Sequence, residues 1–294
     1  MKGIAAVIVF AFVAMAAIVV TEGVIVTNYL VRADNIVRVL KEEEVISSVN
    51  NMEYAKRGLS EAVTYSLNQA SYDIGRRGGY FNPPSETSLD CIPYWNVFGK
   101  SYAPDFKGEL QANLLRIFNA YGTSLGIDVP KYDTVTFDQK DSELNLTSSG
   151  KLTDQEDFFT VRDSANFVQS ADLRIFKLYS AASDIESQLD SGVSSANSYS
   201  NALDTIQSVS SSSSQKYSTQ GIQVSIQPSQ NLDNSGNNFA VKILVSLTDS
   251  SKQNLVYDFN DKKLEMKSDV FTYYLLLGKS NMTLETNDCG KIAY

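Results

Sequence analysis

Two cysteines, no histidine and two N-x-T triplets account for most of what this chain can do chemically, judged from residue type and spacing. Without histidine there is no Ser-His-Asp or Cys-His nucleophile pair, no HExxH zinc site and no imidazole acid-base chemistry. An enzyme built on this sequence has only carboxylates, Lys or Tyr to work with, so the reading is of a non-enzymatic chain with no cofactor and no metal. Cys91 and Cys289 lack CxxC spacing, which removes zinc and thioredoxin-like chemistry as well. An even pair points to one disulfide; two buried free thiols are the other reading. A Cys91–Cys289 bond would close a loop of roughly 200 residues, credited by chain entropy with about 4 to 5 kcal/mol at most. Asn145-Leu146-Thr147 and Asn281-Met282-Thr283 are acceptor sequons, making Asn145 and Asn281 glycosylation candidates on an extracellular chain.

Weaker constellations carry less. Asp154, Glu156 and Asp157 read as a solvated acidic loop. The stretch from Asn231 to Asn238 offers oxygen ligands, but its spacing matches no EF-hand and it reads as a hairpin turn. Cys91-Ile92-Pro93-Tyr94-Trp95 holds the only tryptophan, expected to pack over a disulfide. With 34 acidic against 25 basic residues the net charge is -9, which argues against nucleic acid as a partner.

The elements that must position these residues begin with an apolar run. Ile4 to Val20 is unbroken, Thr21-Glu22-Gly23 interrupts it, and Val24 to Val31 is mostly apolar again. Counted to Val31 it is about 28 residues, ample for a membrane span and too long for a secretory signal core. The expectation is a transmembrane or assembly helix over 4–31, in contact with membrane lipid, with Ile4, Val7, Phe10, Phe12, Ile18 and Glu22 as its assembly residues. The possible disulfide and the sequons place the N-terminus inside and the bulk of the chain outside, a single-pass cell-membrane localisation. Glu22 lies either at the outer interface in contact with water or against a neighbouring subunit.

From Ile36 to Ile74 apolar residues recur at three- and four-residue steps, predicting an amphipathic stalk helix over 32–77. Its stripe packs either on the chain's own globular domain or on a second copy. Gly75-Arg76-Arg77-Gly78-Gly79 predicts the helix end, with glycine supplying a left-handed cap.

Lys2-Gly3 followed at once by Ile4-Ala5-Ala6-Val7-Ile8-Val9-Phe10 resembles the class III signal and leading helix of archaeal type IV pilins and archaellins. The match covers about the first 30 residues. It implies a short leader over 1–3, cleaved between Gly3 and Ile4 by a prepilin-peptidase-like membrane enzyme, and self-association of the helix in a filament core. The leader is shorter than the family's usual one, and no glutamate occupies the fifth mature position.

The remainder, 78–294, reads as an extracellular α+β domain with antiparallel sheet, β-rich over 215–294. A helix is predicted over Asp105–Leu125. Short strands are predicted at Thr134–Phe137, Glu143–Leu146, Phe158–Val161 and Leu173–Phe176. Helix begins again from Ser180, Ser210–Ser214 reads as a flexible linker, and four strands alternate at period two beyond Ile222. The leading expectation is a structural, pilin-like filament subunit at the cell surface. The alternative is a membrane-anchored receptor, adhesin or envelope subunit that never polymerises.

Overall fold

The computed structural model describes residues 2–121, 127–137, 143–155, 159–170, 173–231, 238–258, 262–279, 284 and 286–287. Within these, the side chains of 2–14, 16–19, 230–231 and 258 are not described. The chain opens with a single helix, α1 (Lys2–Gly75), of 74 residues. At 1.5 Å per residue it is about 110 Å long.

Among its described side chains, the buried ones lie in its C-terminal part. Ser48, Met52, Ala55, Leu59, Val63, Leu67, Ala70 and Ile74 are buried, and they recur at three- and four-residue steps along one face. The helix stops where the glycines predict. Gly79 N–H donates to the Ile74 carbonyl (2.7 Å) and Gly78 N–H to that of Gly75 (3.0 Å), with Gly78 at φ +58°. This is the paired bonding of a Schellman cap, which needs a left-handed residue in the position Gly78 holds. Gly75 is fixed by space: a Cβ there would lie 2.2 Å from the Val270 carbonyl oxygen.

Beyond the cap come β1 (Ser88–Leu89), β2 (Ile92–Val97), β3 (Lys100–Ser101) and α2 (Phe106–Tyr121). Then follow β4 (Thr134–Phe137), β5 (Glu143–Thr147), β6 (Lys151–Gln155), β7 (Thr160–Ser164) and β8 (Phe167–Ser170). The last part holds α3 (Arg174–Ser195), α4 (Tyr199–Ser218), β9 (Ile222–Asn231), β10 (Ala240–Asp249), β11 (Asn254–Asp258), β12 (Lys263–Lys267) and β13 (Val270–Gly278). The main sheet runs β1-β2-β13-β10-β9, with β3 added to β2. The predicted α+β class holds, but the sheet is mixed rather than antiparallel, because β2 joins β13 in parallel.

The α3–α4 pair packs on this sheet, and Val241, Ile243, Val245 and Leu247 of β10 are fully buried. Trp95 is buried in the core. It stacks on Tyr273 with ring centroids 4.3 Å apart, and its indole N–H donates to the Gly78 carbonyl (2.8 Å). The parallel strand β2 is thereby tied to the cap of α1.

Several predictions of local structure are corrected. Leu173–Phe176 opens helix α3 instead of forming a strand: Ile175, Leu178, Ala182, Ile185 and Leu189 continue inward at helical spacing, and a four-residue apolar run cannot distinguish the two periods. Ser210–Ser214 is helix, not linker. Ala202, Ile206, Val209, Ser213 and Tyr217 form the buried face of α4. Ser211 donates back to the Gln207 carbonyl and Ser212 to that of Val209, so these two hydroxyls are satisfied without breaking the helix. Asp154 is not in a solvated loop; it lies in β6, buried, and accepts from Ser48. Glu156, Asp157 and residues 232–237 of the predicted turn lie outside the described residues.

The membrane expectation is also corrected. Among the described residues no helix is long and apolar enough to cross a membrane. In the described part of α1 beyond Val20, Glu22, Arg32 and Asp34 recur within a span's length, and each would have to be desolvated. The transmembrane assignment of 4–31, the membrane-lipid partner and the single-pass localisation are withdrawn, and with them the anchored-receptor alternative.

Side-chain amides close two junctions. Gln69 of α1 accepts from the Tyr257 N–H (2.7 Å) and donates to the Tyr257 carbonyl (3.1 Å), acting as a neighbouring strand for β11. Asn119 of α2 makes the same pair of bonds to Tyr132, before β4. Gln69 also donates to Asp73, a fully buried carboxyl at the meeting of α1 and α2. Burial pushes the Asp73 pKa up to about 6, against the Gln69 bond and the charges of Arg76, Arg77 and Arg116, which lower it.

A carboxyl that protonates more readily folded than unfolded adds stability below its unfolded pKa and loses it as pH rises through about 6. Asp73→Asn is expected to raise the melting temperature at pH 7.5 by a few degrees, on the order of 2 kcal/mol. At pH 4 the gain should disappear. Thermal melts of both proteins across that range check this.

Candidate assembly helix

From Val20 to Val31, α1 is rich in apolar residues yet exposed. Val20, Val24, Ile25, Val26, Tyr29, Leu30 and Val31 are all at least half exposed, Tyr29 at 75%. Successive helical residues are about 100° apart, so Val24, Ile25, Val26, Tyr29, Leu30 and Val31 point to every side of the helix. A helix apolar on all sides is stable in water only when surrounded, since each half-exposed Val, Ile or Leu forgoes roughly 1 kcal/mol of burial. From Arg32 onward charges appear between the apolar positions, and Arg38 bonds Glu42 one turn on (3.0 Å).

Ile36, Leu40, Val45 and Val49 were predicted as the start of a single stripe running to Ile74. They are exposed, whereas Met52 and the residues after it are buried. Ser48 is the first buried residue among the described side chains of the helix, and its hydroxyl donates to Asp154 of β6 (2.7 Å). Lys56 pairs with Asp163 of β7, which holds the Asp163 carboxyl below its usual range. Those contacts mark the base of the globular part. Periodicity was the same on both sides of it, so sequence spacing had no means of finding it.

The predicted site residues are distributed as follows. Gly3 and Ile4 lie in the helical backbone of α1. The side chains of Ile4, Val7, Phe10, Phe12 and Ile18 lie outside the described residues. Glu22 is exposed in the all-round apolar segment. Asn145 is half-buried in the central strand of the β4-β5-β8 sheet, opposite Thr136 and Val168. Asn281 lies outside the described residues. Among the described residues no group of three His, Cys, Asp or Glu is placed to hold a metal ion.

Cys91 carries a free, half-buried thiol. It follows Asp90 in a two-residue turn between β1 and β2, where both residues take positive φ (52° and 64°). Asn287 clasps this turn. Its N–H donates to the Ser88 carbonyl (3.0 Å), its side-chain amide donates to Asp90 (2.8 Å), and its side-chain oxygen accepts from the Asp90 N–H (2.6 Å). Cys289 lies outside the described residues, two positions after Asn287 in the sequence.

Pairing of Cys91 with Cys289 is therefore expected in protein isolated under oxidising conditions. Alkylation before reduction should leave the mass unchanged, and alkylation after reduction should add two labels; labelling of Cys91 in the native, unreduced protein would exclude the pairing.

No protein-family model matches the chain, and no curated protein or solved structure is similar to it.

Proposed function

We propose that this chain is a non-enzymatic structural subunit that self-associates through the exposed part of α1 and assembles into a filament. One observation carries the reading: from Val20 to Val31 the helix presents apolar side chains on all sides, each at least half exposed. Several neighbouring helices satisfy such a surface, where a single flat partner leaves part of it in water. The second copy is the economical source of those helices, because every copy carries the same unsatisfied surface. The resemblance of the first 30 residues to archaeal pilins supports the same reading. So does the absence of histidine, which leaves little for chemistry on a substrate.

The division of labour is simple. The exposed half of α1 packs with its counterparts, and the α+β part remains outside the bundle as a covering layer. The two halves belong to one continuous helix, which links the spacing of the globular parts to the bundle's geometry.

Ile25→Glu with Leu30→Glu puts a charge on two sides of the exposed segment and touches no buried residue. Wild-type protein is expected to sediment as large assemblies and to show filaments in electron micrographs. The variant should sediment as a monomer with an unchanged melting temperature. Wild-type protein that stays monomeric at every concentration, or a variant that assembles as well as wild type, would sink the proposal.

A further inference from the structure

Glu22 is the only charged residue from Val20 to Val31. It is exposed, and among the described residues no ion pair or hydrogen bond reaches its carboxylate. Thr27, by contrast, is satisfied within the helix, its hydroxyl donating to the Gly23 carbonyl (2.7 Å). The nearest cation along the helix is Arg32, ten residues on. At 1.5 Å per residue that is about 15 Å, too far for an ion pair within one copy.

Arg32 is likewise exposed and without an ion pair among the described residues. Asn28, Arg32 and Asn35 lie at i, i+4 and i+7, so they share one face, and all three are exposed. They offer amide and guanidinium donors in a row, the complement of a carboxylate. Ten residues at about 100° each turn that face roughly 80° away from Glu22. Acid and donor strip are therefore two different patches of one helix.

We infer that Glu22 of one copy seats on the Asn28–Arg32–Asn35 strip of the next, with the helices parallel and staggered by about ten residues, or ~15 Å. The inference rests on the filament reading above and supplies the register that reading leaves open. Surrounding Val20–Val31 with helices takes Glu22 out of water, and a carboxylate buried without a cation is strongly unfavourable. The stagger brings it a cation and two amides, and sets Tyr29 level with Val39 of the neighbour. Other charges do not oppose the pairing. Asp34 lies about 160° round the helix from Arg32, and Glu43 returns to the face of Arg32 eleven residues on, level with Ala33 of the other copy. A parallel stagger advances every copy along the axis, so the contact repeats as an open filament and does not close into a ring.

The test uses the full chain and reads the lowest concentration at which it assembles. Glu22→Arg and Arg32→Glu, each at an exposed position, are expected to keep the melting temperature and to raise that concentration by about tenfold or more. Combining them restores opposite charges between copies and should bring it back near the wild-type value. A photo-crosslinking phenylalanine derivative in place of Tyr29 should join a neighbouring copy ten residues away, near Val39 or Val19. With wild-type protein assembling, four results would overturn the inference alone. These are single variants that assemble like wild type, a double variant no better than the singles, no cross-link from position 29, or cross-links only to Tyr29 or Ile25, as in-register and antiparallel packing give. Wild-type protein that never assembles overturns the filament proposal, and this inference with it.

Discussion

The burial of one face of α1, from Ser48 to Ile74, is the contact on which the rest of the globular part depends. Residues from α2, β6, β7, β11 and β13 all pack against that one helix. Its C-terminal cap is then sealed by Trp95, which binds the cap carbonyl and stacks on the central strand of the main sheet. Helix and sheet are thus joined at a point where both have backbone geometry that admits little variation: a left-handed glycine on one side, a parallel strand pair on the other. The same helix continues out of the globular part without a break. One helix is thus core over its C-terminal part and, over Val20–Val31, exposes apolar side chains on several sides.

Polar groups close the joins that apolar packing leaves open. Gln69 and Asn119 each supply a donor and an acceptor to a single backbone residue, which lets a helix side stand in for a missing strand. Arg174 of α3 pairs with the buried Asp249 at the end of β10 and donates to the Gln220 carbonyl (2.7 Å), fixing the start of α3 to the loop that follows α4. Tyr273 donates its buried hydroxyl to the Ala182 carbonyl (2.8 Å), tying α3 to β13. Each of these groups would be costly to bury alone, so each also specifies which neighbour must be present. Asp73 is the exception in sign, a carboxyl whose burial outweighs the favourable charges around it. Its presence opposes folding at neutral pH, and the arginines around it limit that cost.

The sequence alone determined the long N-terminal helix, its end among Gly75–Gly79, a helix within Asp105–Leu125, the strand at Thr134–Phe137 and the period-two strands of the last third. These are local: helical or alternating spacing and a glycine cap act within a few residues, and nothing distant overrides them here. β12 escaped notice because Lys263, Glu265 and Lys267 occupy one face of it and hide the alternation of Leu264 and Met266. The serine run over 210–214 read as linker because composition says nothing about whether each hydroxyl finds a carbonyl one turn back.

Tertiary structure alone decided which part of α1 is covered. Ile36, Leu40, Val45 and Val49 have the same spacing as Leu59, Val63, Leu67 and Ile74, yet the first group is exposed and the second buried. Periodicity reports that a face needs a partner and is silent on whether the partner lies in the same chain. The parallel pairing of β2 with β13 and the clasp of Asn287 on Asp90 are likewise invisible in the sequence. Each joins residues far apart along the chain, and only the packed fold brings them within a few ångströms.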